Sequence, residues 1–166
     1  MSGIVPLTRE EVLELIGAGP QHVHGGMFAN GEVTPTSIAS SGTWTKGICA
    51  THGLASPPLE RMTATANRLT YTGTGTCHLN VRGVCSITDG NNKNIAVGIA
   101  KNGTVESGMW TLQHTNNSGK ALGIPLVADY ELTTGDYVEL WLRNDTDTSN
   151  LTISDVLIIG DGLVSL

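Results

Sequence analysis

The sequence predicts an all-β domain, a single sandwich or jelly roll, from three observations. Charged residues make up only 14% of the 166 and glycine supplies 21, with abundant Thr, Asn and Ser; such a polar-uncharged, turn-rich composition suits short strands better than helices. Runs of apolar and polar residues alternate strictly between clusters of Gly, Asn, Asp and Pro, the period of a strand with one buried face. The clearest junction is Tyr130-Glu-Leu-Thr-Thr-Gly-Asp-Tyr-Val-Glu-Leu-Trp-Leu142, which reads as a β-hairpin, two alternating runs around a turn-forming Thr-Thr-Gly-Asp. The length suits one domain with a short appendage.

Residues 1–25 read as an N-terminal arm and 26–166 as the β domain. Thr8-Arg-Glu-Glu11 is a capping box, and Leu7 with Val12 supplies the accompanying hydrophobic staple. A short helix is expected from Arg9; Val12, Leu13, Leu15 and Ile16 give it an apolar stripe, and Gly17-Ala-Gly-Pro20 stops it. About eight residues are too few for a helix to stand alone in water, so the stripe docks either on the chain's own domain or on a second protein. His22-Val-His24 points two imidazoles the same way on an extended segment. In a three-fold assembly they could offer six nitrogens to one ion, yet no further ligand accompanies them, and they read as loop histidines with no metal.

From Gly31 to Leu69, Pro35, Pro57 and Pro58 interrupt the pattern, leaving short strands and long loops with one strand around Trp44. Arg68 to Tyr71 alternates. In the best strand Cys77, Leu79, Val81, Gly83, Cys85 and Ile87 share one parity, and His78, Asn80, Arg82, Ser86 and Thr88 the other; Val84 is the one exception. A turn at Asp89 to Lys93 leads to a strand carrying Ile95, Val97 and Ile99. Asn102-Gly103 marks a tight hairpin into a run ending near His114, and Asn116-Asn-Ser-Gly119 is another turn. After the Thr-Thr-Gly-Asp turn, Val138, Leu140 and Leu142 face a core, while Tyr137, Glu139, Trp141 and Arg143 face away. That second face is too apolar for solvent and too charged for a core; it belongs in a protein interface, or partly beneath a neighbouring loop. A polar loop, Asn144 to Asn150, precedes a last strand, Leu151 to Ile159, that closes the sheet. Eight or nine strands at these spacings suit a sandwich or jelly roll.

The net charge of −6 argues against nucleic acid, which needs clustered Lys and Arg. From Asp129 onward eight carboxylates face one base, Arg143, and that end should repel anionic membranes. No secretory signal and no stretch of about 20 apolar residues is seen, so folding in the cytosol is expected. Cys49, Cys77 and Cys85 read as small buried hydrophobes. Asp145-Thr-Asp-Thr-Ser149 opens like a calcium loop, but Asn150 and Val156 hold the positions of its glycine and glutamate, and turn chemistry explains it better. No nucleophile elbow, zinc-protease, phosphate-loop or dinucleotide motif is present; a non-enzyme without cofactor is expected.

The order Lys101-Asn-Gly103, a strand, Leu132-Thr-Thr-Gly-Asp-Tyr-Val-Glu-Leu-Trp-Leu-Arg-Asn144, a Thr/Asp loop, and Leu-Thr-Ile-Ser-Asp-Val-Leu-Ile-Ile159 resembles bacteriophage virion proteins with a tumour-necrosis-factor-like (TNF-like) jelly roll. The resemblance covers roughly Asn67 to Ile159. It implies a tight homotrimer with residues beside the Gly-Asp turn near the three-fold axis, which makes Tyr130, Tyr137 and Trp141 the candidate trimer interface. It also implies a capsid decoration (cement) protein on the virion surface, assembled in the host cytoplasm. Its leading arm would bind the major capsid protein through Leu7, Val12, Leu13, Leu15 and Ile16. The alternative within the resemblance is a head- or tail-fibre tip that binds a host-cell receptor.

Overall fold

The computed structural model describes residues 21–56, 58–88, 91–116 and 121–165. The strands are β1 (Gln21–Asn30), β2 (Pro35–Thr36), β3 (Thr45–Lys46), β4 (His52–Gly53), β5 (Met62–Thr65), β6 (Arg68–Tyr71), β7 (Thr76–Thr88), β8 (Asn94–Lys101), β9 (Thr104–His114), β10 (Ala121–Leu132), β11 (Tyr137–Asn144) and β12 (Leu151–Ser165). They form two antiparallel sheets. The first has the order β10-β7-β12-β1-β4, with β2 on β12; the second has the order β5-β6-β11-β8-β9, with β3 on β11. No helix occurs among the described residues, and none there is long and apolar enough to cross a membrane.

The core lies between the sheets and follows the alternation. In β7, Cys77, Leu79, Val81, Cys85 and Ile87 are buried while His78, Asn80 and Arg82 are exposed. Ile99, Val138, Leu140 and Leu142 meet them from the second sheet, each at most 1% exposed; full burial of such a side chain contributes about 1.5–3 kcal/mol. All three cysteines are buried free thiols, and burial pushes Cys49 and Cys85 up to about 12. Asn102 and Gly103 have φ of 49° and 81° between the paired Lys101 and Thr104, the positive pair that a two-residue hairpin turn requires.

Several expectations change. The stretch from Tyr130 to Leu142 is not a hairpin: Leu132 pairs with Cys77 in the first sheet and Tyr137 with Thr70 in the second. Thr133–Asp136 is therefore a corner between sheets. Alternation fixes which way side chains point and leaves the neighbouring strand open. The last strand does not close an edge; it runs to Ser165 in the middle of the first sheet, between β7 and β1. The strand expected around Trp44 is reduced to Thr45 and Lys46. The boundary at residue 25 falls inside β1, whose residues from Gln21 pair with β12, so His22 and His24 are strand residues and not loop residues. The expected helix, with Leu7, Val12, Leu13, Leu15 and Ile16, lies outside the described residues.

Candidate interaction faces

The outward face of the second sheet carries Tyr137, Glu139, Trp141 and Arg143. Beside them β8 presents only small residues, since Ala100, Gly98 and Ala96 stand opposite Glu139, Trp141 and Arg143. Space above these positions is filled from the chain itself. Glu139, 2% exposed, is held by Lys46, by Arg68 at 2.8 Å and by the Trp141 indole N–H at 3.2 Å. Burial alone would raise its pKa, but the bonds from Lys46, Arg68 and Trp141 outweigh that and hold it below the ordinary value. The Arg68 guanidinium lies 3.7 Å over the Tyr137 ring. Arg143 sits 4.9 Å from the Trp44 ring and 5.0 Å from the Trp110 ring, with Asp145 accepting two hydrogen bonds from it at 2.6 and 2.9 Å.

The three aromatics expected together are therefore separated. Tyr130 belongs to the core of its own chain, 4% exposed, and its hydroxyl donates to the Ile99 carbonyl at 2.7 Å. Burial, then the nearby Glu106 charge, pushes that hydroxyl up to about 12. Tyr137 and Trp141 are half-buried on the opposite side of the second sheet. The covering group that sequence reasoning left open, a neighbouring segment of the same chain, is visible as Lys46 and Arg68.

The outward face of the first sheet is different. Register across β1, β12, β7 and β10 aligns four rows: His22, Leu163, His78 and Glu131; His24, Asp161, Asn80 and Asp129; Gly26, Ile159, Arg82 and Val127; Phe28, Leu157, Val84 and Pro125. Residues directly opposite share a face, so one end is rich in histidine and acid and the other is apolar. Val127 is 64% exposed, Leu163 52%, Val84 40% and Leu157 37%. A mainly apolar cleft of about 380 Å³ opens beside the last row, lined by Phe28, Leu54, Val84 and Leu157 among others. Sequence reasoning passed over this face, although Val84, the one break in the alternation of β7, signalled it.

Comparison with solved structures decides the fold class. The globular domain of zebrafish complement 1qA protein matches with a TM-score of 0.53 at 9% identity, over 88% of this chain and 98% of that one. Eiger TNF from S. frugiperda matches with a TM-score of 0.51 at 16% identity, over 87% and 92%. The chain has a jelly roll of the TNF and complement type. A match to the PRD1 vertex protein P5 has a TM-score of 0.47 at 11% identity, over 86% and 96%. No protein-family model matches the sequence, and no curated protein matches it.

Around the jelly roll, the acidic loop is committed to structure. Lys93 pairs with Asp147, Asn144 donates to Asp147 at 3.0 Å, and Asp147 accepts the Ser149 N–H at 2.9 Å. The Lys93 bond, then the Ser149 N–H, hold the Asp147 carboxyl well below the usual range. No group of three or more His, Cys, Asp or Glu able to cage a metal occurs among the described residues.

Proposed function

We propose that this chain is a structural protein of a bacteriophage virion, a homotrimeric decoration protein that binds the outer capsid surface and stabilises the shell. The observation that carries the reading is the apolar end of the first sheet's outward face, where Val84, Val127 and Leu157 are exposed among the described residues. Covering such a side chain contributes up to about 1.5–3 kcal/mol, and a patch of this kind is ordinarily covered by a partner. The trimer contact is accordingly assigned to this face, in place of Tyr130, Tyr137 and Trp141. Attachment falls to residues 1–20, with Leu7, Val12, Leu13, Leu15 and Ile16 against the major capsid protein. Three weak arms on one trimer bind neighbouring subunits with high effective concentration, which converts weak contacts into a stable clamp.

Light scattering on the purified chain, with and without residues 1–20, tests this together with co-sedimentation on emptied capsids of the virus that carries it. A trimer in both forms that binds capsids only with the arm is expected. A monomer in both forms would remove the reading.

A fibre tip that binds a host receptor is the second reading. The exposure of Leu112 and of the Trp110 ring, 52% and 38%, on the opposite sheet favours it by offering a free contact surface. Binding of the trimer to host cells and not to capsids would select it.

A further inference from the structure

His22 and His24 project from one face of β1 with their rings stacked, 6.2 Å between centroids and 10° between planes. Each has a carboxylate at Nδ1. Asp161, directly opposite His24 on β12, lies 2.6 Å from that nitrogen, and Glu60 lies 3.4 Å from Nδ1 of His22. Both acids are anchored in turn, Asp161 by Arg82 at 2.6 Å and Glu60 by Arg61 at 2.7 Å. A carboxylate at Nδ1 accepts that nitrogen's proton in a hydrogen bond and leaves Nε2 with its lone pair. His24 is 8% exposed, and its Nε2 is buried with no hydrogen-bond partner. An orphaned buried polar atom costs about 1–3 kcal/mol, so this nitrogen calls for a ligand. A cleft of about 510 Å³ lies beside the two rings, lined by His22, His24, Pro58, Leu59, Glu60 and Asp161.

Imidazoles that ligate metals characteristically give their other ring nitrogen to a carboxylate, which fixes the tautomer and raises basicity. We propose that His22 and His24 bind one divalent transition-metal ion, of the Zn²⁺, Ni²⁺ or Cu²⁺ class, through Nε2, with Asp161 and Glu60 as outer partners. Imidazole selects these ions over Ca²⁺ and Mg²⁺, which take oxygen ligands. Two nitrogens bound at about 2.1 Å stand no more than about 4 Å apart, so the His22 ring, with 54% of its side chain exposed, swings toward His24 on binding. The described residues of a single chain bring no third ligand, and water completes the sphere, which makes the ion exchangeable. Alternation of the two histidines was legible in the sequence. Their carboxylates were not, because they lie 38 and 137 positions away. The site shares its face with the apolar rows, the His24 row standing next to that of Gly26, Ile159, Arg82 and Val127, and both of its imidazoles come from one chain.

Calorimetric titration of the chelator-treated full chain with ZnCl₂ at neutral pH tests this. One ion per chain is expected, with binding lost in His22→Ala and weakened about 10- to 100-fold in Asp161→Asn. His22 is exposed, so its alanine variant should keep the wild-type circular dichroism spectrum. Electron paramagnetic resonance with Cu²⁺ should show two imidazole nitrogens in the wild type, and that signal should be absent in His22→Ala. Absence of binding heat would overturn the proposal, and so would unchanged binding in His22→Ala, which would trace the ion to His52, His78 or His114.

Discussion

Asn67 and Leu140, 73 positions apart, exchange two hydrogen bonds: the Asn67 amide donates to the Leu140 carbonyl at 2.9 Å, and the Leu140 N–H donates to the Asn67 side-chain oxygen at 3.1 Å. The same amide donates to the Gly47 carbonyl at 2.6 Å. One buried side chain thus joins the β5–β6 turn, the segment after β3 and the middle of β11. Asn67→Ala should destabilise the fold by about 2–4 kcal/mol, because backbone groups at 47 and 140 lose buried partners. Asn67 also has φ of 61°, where glycine is easier than alanine by about 1 kcal/mol. Asn67→Gly should therefore be only slightly better than Asn67→Ala in urea midpoint. A glycine variant as stable as the wild type would mean that the backbone angle, and not the bonds, sets the requirement.

Asp136 gives the acid limb of stability a specific source. It accepts the Thr133 N–H at 2.9 Å and the Asn102 amide at 2.7 Å, and these, in that order, hold its carboxyl down at about 2 from an ordinary 3.8. A depressed folded-state pKa means the contribution is present above pH about 4 and is lost as pH falls toward 2. Solvent reaches this corner, so the contribution is on the order of 1 kcal/mol. Urea midpoints measured between pH 2 and 5 should fall less steeply for Asp136→Asn than for the wild type. Superimposable slopes would remove Asp136 from the acid limb.

Which parts of this were legible follows from the range of the interactions. The faces of β7 and β11 could be read because burial repeats every second residue along the chain itself. The partner of β10 could not, because Leu132 against Cys77 and Tyr137 against Thr70 are long-range choices that the Thr-Thr-Gly-Asp turn does not encode. Tyr130 has the size of an interface anchor, yet it is core: it shares the buried parity of Leu126, Ala128 and Leu132, and its hydroxyl donates to the Ile99 carbonyl. The surface around Trp141 looked unpartnered for the same reason: Lys46 and Arg68 come from 93 and 71 positions away to meet Glu139.

That ion cluster should be costly to break. In Glu139→Ala, Lys46 and Arg68 lose a shared buried acceptor and the Trp141 indole loses its partner. Both cations are more than a third exposed and can turn to water, so the loss should sit near or just below the lower end of the range of about 3–5 kcal/mol for a broken buried pair. Glu139→Gln keeps an acceptor for Trp141 and should lose less. Thermal unfolding at neutral pH would rank the two. Because the folded-state pKa of Glu139 lies below its ordinary value, its stabilisation should fade as pH falls beneath about 4.5.

The two outward faces make opposite forecasts for assembly. Val127→Asp and Leu157→Asp place a charge where the wild type exposes apolar surface, so each should leave the monomer folded, with little change in circular dichroism, and lower the mass seen by light scattering. A carboxylate buried against a partner without a counter-charge costs several kcal/mol, enough to shift a trimer to monomer at micromolar concentration; this holds for Leu157→Asp, between Phe28 and Val84, whereas Val127 faces Arg82 and its variant should lose less. Trp141→Ala removes a ring that reaches Gly103 and bonds Glu139, so it should lower thermal stability and leave the mass unchanged. If Trp141→Ala dissociates the assembly while Val127→Asp and Leu157→Asp do not, the contact surface is on the second sheet, and the apolar rows of the first are free to meet the capsid or the chain's own residues 1–20.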